Sequence, residues 1–158
     1  MNQEYRAALE YLHQHNVLCL ATCAESVPWV APVFYAVVSD KLVFLSAPHT
    51  RHCKNIETNP IIAASVQEDY SEWVFIKGVQ LQGIASLISE SDKDRVISEY
   101  SKKHPVTGAN APPQIAGALE RISWYAISVQ ELYFIDNSRG LGHRDQLDPD
   151  LLLKDTLL

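Results

Sequence analysis

A small antiparallel β-barrel, closed or partly closed and carrying peripheral helices, is the fold this sequence predicts, and three observations lead there. Short runs rich in Val, Ile, Phe, Tyr and Trp recur along the chain between tight turn signals. The first three such runs, between Val17 and Ser46, are joined by links too short for a helical crossover, so they form a meander rather than βαβ units. No repeat or linker divides the 158 residues, and one hydrophobic core serves a chain of that length, so residues 1–158 are read as a single domain.

The elements follow in order. Tyr5, Ala8, Leu9 and Leu12 recur at helical spacing and predict an opening amphipathic helix that His15-Asn16 ends. Val17 to Thr22 reads as a strand, Ala24-Glu25-Ser26 as a turn, and Val27 to Val38 as a longer strand. Pro28 and Pro32 lie inside it, and since proline removes a ladder donor they must sit at bulges or face away from a neighbour. Ser39-Asp40 leads into a strand from Lys41 to Ser46. A short helix from Thr50 to Thr58 ends at Asn59-Pro60, because the residue before proline avoids the helical region. Ile61 to Val66 is a strand, and another within Trp73 to Ile88 bends at Gly78 and Gly83. Ser89 to Lys103 is a charged helix, capped by Ser89 or Ser91, that buries Val96, Ile97 and Tyr100. His104 to Pro113 is a loop, and Ile122 to Ile135 is the last strand region, interrupted near Gln130-Glu131. The tail after Asp136, above all beyond about residue 143, is expected to be mobile or to lie on a partner.

Composition narrows the function. A net charge of −6 and a pI near 5.4 exclude a general nucleic-acid binder, which needs clustered Lys and Arg to displace counterions. The longest apolar runs fall well short of the ~20 residues of a spanning helix, so no membrane partner is expected. The start Met1-Asn2-Gln3-Glu4 has no signal core, which points to the cytoplasm. Cys19, Cys23 and Cys53 are an odd set without CxxC spacing, read as reduced thiols, and no metal site is expected.

One stretch breaks the local rules. In Ser46-Ala47-Pro48-His49-Thr50-Arg51-His52-Cys53-Lys54, Thr50 is placed to cap a helix whose first turn holds Arg51, His52 and Lys54, while Glu57 stands at the other end. Cations at the positive end of the helix dipole cost a few tenths of a kcal/mol, roughly 0.3 or more each. A bound phosphate would reverse that penalty, since free amides, a hydroxyl, an arginine fork and a lysine are the donors a phosphate monoester needs. Two other readings stay open: a solvated basic turn whose charges are screened by solvent or paired with carboxylates elsewhere, and a metal site at His49, His52 and Cys53. The cations Arg51 and Lys54 oppose the latter.

The order of elements, with Thr50-Arg51-His52, Lys77-Gly78-Val79-Gln80-Leu81-Gln82-Gly83, and Phe134-Ile135-Asp136-Asn137 before Gly140-Leu141-Gly142, resembles the FMN-binding split-barrel superfamily, which contains the pyridoxamine 5′-phosphate oxidases. Within it the chain is most similar to the YhbP-type bacterial proteins. The resemblance implies a six-stranded antiparallel split β-barrel, mainly β with peripheral helices. It also implies a homodimer with FMN at the subunit interface, acting as an oxidoreductase on a small molecule.

The phosphate would meet Thr50, Arg51, His52 and Lys54. The ring would lie against the backbone of Val33, Phe34 and Tyr35 and of Phe44, Leu45 and Ser46. Gln80 or Gln82, and Trp124 or Asn137 from the second subunit, are further contacts. His52, His49 and Tyr35 are candidate acids or bases by position alone. The pyridoxamine oxidases carry an Arg-x-His motif where this chain has Gly142-His143-Arg144-Asp145, so vitamin B6 oxidation is not expected. Relatives also bind haem or a deazaflavin. A non-catalytic flavin or haem carrier is therefore the alternative reading, with His52 or His143 as the candidate axial ligand.

Overall fold

The structure, a computed structural model, describes residues 3–154. Helix α1 (Gln3–Gln14) is followed by β1 (Val17–Ala24), β2 (Val27–Val38) and β3 (Lys41–Ser46), then α2 (Arg51–Thr58), β4 (Ile61–Gln67) and β5 (Lys77–Leu87). Helix α3 (Glu90–Lys103) and a short α4 (Pro113–Leu119) precede β6 (Ser123–Asp136), β7 (Arg144–Leu147) and α5 (Pro149–Lys154). Every pairing is antiparallel, in the order β3-β2-β1-β4-β5-β6-β7. Strand β3 also pairs β6 from Leu42↔Ile127 to Ser46↔Ser123, which closes the first six strands into a barrel and leaves β7 outside it.

The barrel closes because alternate residues supply an apolar lumen. Leu18 and Leu20, Val33 and Tyr35, Leu42 and Phe44, Ile62 and Val66, Val79 and Leu81, and Tyr125 and Ile127 are all buried. Helix α1 plugs one end through Ala8, Leu9 and Leu12, and α2 packs on the barrel through Cys53 and Ile56. A second, smaller cluster forms outside the lumen where Val96 and Tyr100 of α3 meet Ala36, Val43 and Trp124.

Two glycines have structural reasons. A Cβ on Gly83 would stand 2.5 Å from the Ser128 carbonyl oxygen, at the register shift where Gln130 is left over between the pairs Gln82↔Glu131 and Gly83↔Val129. On Gly78 it would meet the Val66 carbonyl at 2.9 Å. The expected interruption of the last strand is this bulge. The β1–β2 hairpin turns on Glu25 (φ 51°) and Ser26 (φ 62°), both left-handed as a tight two-residue hairpin requires.

The structure differs from the sequence reading in three places. Trp73–Phe75 is a turn of 3₁₀ helix, so β5 begins only at Lys77. Residues 113–119 form α4, whose Pro-Pro start at Pro112-Pro113 reads as a loop but also fits a helix entry, where a missing N–H costs nothing. Where a mobile tail is expected, residues 144–154 form β7 and α5 instead, and Leu147, Leu152 and Leu153 are buried in the main core. Residues 155–158 lie outside the described residues.

Candidate functional site

The barrel is split along β2. Only Tyr35–Val38 of β2 pair with β3, and Tyr35↔Phe44 is the last pair before the two strands separate. From Val27 to Phe34, β2 pairs β1 on one side and, among the described residues, no strand on the other. The Tyr35 N–H donates to the Asn16 carbonyl on the β1 side at 3.0 Å. The alternation of an antiparallel ladder then turns the backbone groups of Pro28, Val30, Pro32 and Phe34 toward the open edge. Both prolines thus omit a donor where no strand follows, which protects the edge and leaves Val30 and Phe34 as its N–H donors.

At the foot of this edge stands the start of α2. Lys54 N–H donates to Thr50 C=O (3.1 Å), the first bond of the helix, so the amides of Arg51, His52 and Cys53 precede any intrahelical acceptor. The Thr50 hydroxyl does not cap them as expected. It donates backward to Ala47 C=O at 2.8 Å, closing the turn between β3 and α2. The side chain of Arg51 lies over the Trp29 ring, 4.4 Å from its centroid, bridging the helix start to the open stretch of β2. Arg51 and Lys54 are exposed, and neither forms an ion pair among the described residues. The reading in which carboxylates elsewhere neutralise this turn therefore lacks its partners.

Helix α2 is anchored by polar contacts at its far side. Asn55 Nδ2 donates to the buried Thr22 hydroxyl at 3.0 Å, and Asn59 Nδ2 to the Cys23 carbonyl at 3.0 Å. These fix the middle and the end of the helix against β1. The ring of His52 is buried, with Nε2 2.6 Å from Ser46 Oγ and 3.2 Å from Thr50 Oγ1, and burial lowers its pKa below the usual imidazole value. Among the described residues no cluster of three His, Cys, Asp or Glu side chains could hold a metal ion.

The remaining expected contacts fall in several places. Val33, Tyr35 and Phe44 point into the lumen, where the Tyr35 hydroxyl donates to Leu12 C=O at 2.7 Å and Phe44 stacks on Tyr125 at 5.1 Å. Burial raises the Tyr35 phenol pKa well above its ordinary value. Only the backbone of these three could face a ligand. Phe34 points outward against His104. Leu45 packs beside Trp124, which is buried in the second cluster edge-on to Tyr100. Ser46 stands with Thr50 and His52 at the helix start rather than along the edge. Gln80 and Gln82 are exposed on the outer face of β5. Asn137 is buried, its Nδ2 donating to Trp73 C=O at 2.7 Å and its Oδ1 accepting from Gly142 N–H at 3.1 Å. Trp29 is the site residue that sequence reasoning missed. Its signal, an aromatic among prolines on a strand, is indistinguishable from a core or interface residue.

A six-stranded barrel opened along one strand, with a basic helix start at the opening, defines the split-barrel class. Residues 1–136 match the pyridoxamine 5′-phosphate oxidase family, and the chain belongs to it. Among its relatives, a UPF0306 protein of Photorhabdus laumondii is 26% identical over 145 residues, covering 90% of this chain and 94% of the relative. A UPF0306 protein of Yersinia pseudotuberculosis is 26% identical over 144 residues, covering 88% and 91%. The fold is similar to that of a heme binding protein from Mycobacterium smegmatis (TM-score 0.76, 17% identity), covering 97% of this chain and 61% of that one. It is also similar to HutZ, the heme storage protein of Vibrio cholerae (TM-score 0.68, 20% identity, 84% and 94% covered). At such identities the likeness is one of fold.

Proposed function

We propose that the protein is a homodimeric flavoprotein that holds FMN along the open edge of β2, with its phosphate at the start of α2, and acts as an oxidoreductase on a small molecule. The observation that carries this is the unpaired cationic helix start beside an unpaired strand edge. Among the described residues Arg51 and Lys54 form no ion pair and the first three helix amides have no intrahelical acceptor, and the donor set fits a phosphate monoester. The edge offers the Phe34 and Val30 amides and several carbonyls, matching a ring whose polar atoms both donate and accept. When bound, the flavin supplies the electron transfer, and the chain binds, orients and shields it.

A second copy has a natural seat. The outward rows of β1, β2, β4 and β5 carry Val17, Val30, Phe34, Ile61 and Ile84 around the smaller Cys19, Ala21 and Ala63, with no charged side chain among them. Val30 and Phe34 are each 59% exposed, and beside Val30 lies a shallow depression of about 310 Å³ floored by Ala63 and Ser65. Exposed apolar side chains gathered on one uncharged face support a contact with a second copy. Because the same residues of β2 border the open edge, a ligand there would lie between two copies. Sedimentation should give a dimer, and Val30→Glu a monomer; a monomeric parent protein at micromolar concentration would count against the shared site. Anaerobic reduction of the FMN-loaded protein by a nicotinamide donor, followed by reoxidation with candidate acceptors, tests the oxidoreductase part. Flavin that stays oxidised under every donor would reduce the reading to a carrier.

A haem-binding reading is favoured by one observation. His143 is half-buried, and its Nε2 lies 3.1 Å from Asp145 Oδ2, a carboxylate that can orient an imidazole for an axial metal bond. His52, closed in by two hydroxyls, is not available for that role. A Soret band on haem addition, lost in His143→Ala, would support this reading over FMN.

A further inference from the structure

The arrangement of hydroxyls around His52 carries one step more, and it rests on the phosphate-site reading above. A carbonyl oxygen can only accept, so the single hydroxyl hydrogen of Thr50 lies on its 2.8 Å bond to Ala47 C=O. The 3.2 Å contact between Thr50 Oγ1 and His52 Nε2 then needs the ring nitrogen as donor. The same Nε2 lies 2.6 Å from Ser46 Oγ, so Ser46 accepts from that shared N–H. Its own hydrogen is then left over, and no other acceptor for it exists among the described residues.

We propose that His52 is a positioning residue rather than a cationic phosphate ligand: its Nε2–H fixes the Ser46 and Thr50 oxygens and leaves the Ser46 hydroxyl hydrogen free to be donated to the ligand's phosphate. Burial of the ring, which favours the uncharged form, agrees with this role. The positive charge at the site then comes from Arg51 and Lys54, the cations exposed at the helix start. Ser46, as the last residue of β3, places its hydroxyl at the point where β3 has left β2, between the open edge and the helix.

The assignment predicts a tautomer and a pattern of substitutions. Nitrogen-15 NMR of the ligand-free protein near neutral pH should show His52 protonated at Nε2 and bare at Nδ1; the opposite tautomer overturns the proposal whatever the ligand. Flavin fluorescence quenching gives the ratio of riboflavin to FMN dissociation constants, which isolates the phosphate. Ser46→Ala and His52→Leu should each lower that ratio about tenfold, as expected for loss of a hydrogen bond to a charged group. The double variant should lose no more than either single one. His52→Gln, whose amide N–H reaches the place of Nε2–H, should keep the ratio within about twofold. Thermal unfolding reports whether His52→Leu folds, and if it does not, Ser46→Ala and His52→Gln decide. A ratio unchanged in Ser46→Ala, or losses that multiply in the double variant, would overturn the role of His52 while leaving FMN binding intact. A parent protein that binds FMN no better than riboflavin would overturn the phosphate site itself, and this role with it.

Discussion

The two halves of β2 differ in almost every respect. Tyr35–Val38 pairs β3 on one side, and three of its four side chains are buried in the two apolar clusters. Val27–Phe34 pairs β1 alone, contains two prolines, and exposes Val27, Trp29, Val30 and Phe34. The first half is used to close a barrel. The second half is kept from closing, because Pro28 and Pro32 remove the donors that a neighbouring strand would need. On the proposed function, a strand that gives up part of its pairing would find its compensation in a ligand and a second copy of the chain.

Substitutions that affect one half and spare the other test this contrast. The largest effect should come from Phe44→Ala, opposite Tyr35 in the closed half: a fully buried ring stacked on Tyr125 is lost, at a cost of ~3–5 kcal/mol read by chemical denaturation. Arg51→Ala at the open half should leave the denaturation midpoint unchanged and weaken FMN binding by roughly 10–100-fold, with riboflavin binding unaffected.

A pH effect comes next. The folded state lowers the His52 pKa below its ordinary 6.5, so the unfolded chain takes up the proton first as pH falls. Stability contributed by this group is fully present above 6.5 and is lost as pH drops through the lowered value. His13 is shifted the same way by burial and by Lys103, so the comparison must be between parent and His52→Gln: the substituted protein should show a shallower loss of stability in acid. Identical slopes would show that His52 is not held neutral by the fold. The smallest effect is expected from Trp29→Ala. Removing the ring under Arg51 forfeits ~0.5–1 kcal/mol of preorganisation, a weakening of FMN binding of about two- to fivefold.

How much of this was legible in the sequence follows the same division. The closed half was readable because alternation is local: Lys41–Ser46 and Ile61–Gln67 announce strands by their own residues, and Gly83 announces its bulge. The charge violation at Arg51 and Lys54 was also local, and it located the helix start. What sequence could not supply was the direction of hydrogen bonds and the company of side chains. Thr50 has the composition of a cap, yet its hydroxyl serves the preceding turn. His52 looks like a third cation and is a buried ring held by two hydroxyls. Ser46 reads as a strand end and stands beside His52 at the start of α2. Strand β7 and helix α5 hid in a charged segment because their burial rests on Leu147, Leu152 and Leu153 alone, too few residues to show a period.

The most direct test of the central claim, that the start of α2 holds the phosphate of a bound cofactor, is a visible absorption spectrum taken after adding FMN and desalting. It should be run on the parent protein and on Arg51→Ala, with riboflavin as the control ligand. The account predicts a flavin spectrum retained by the parent protein with FMN, and lost both with riboflavin and in Arg51→Ala. Retention of riboflavin as firmly as FMN, or an Arg51→Ala protein that keeps its flavin, would contradict it.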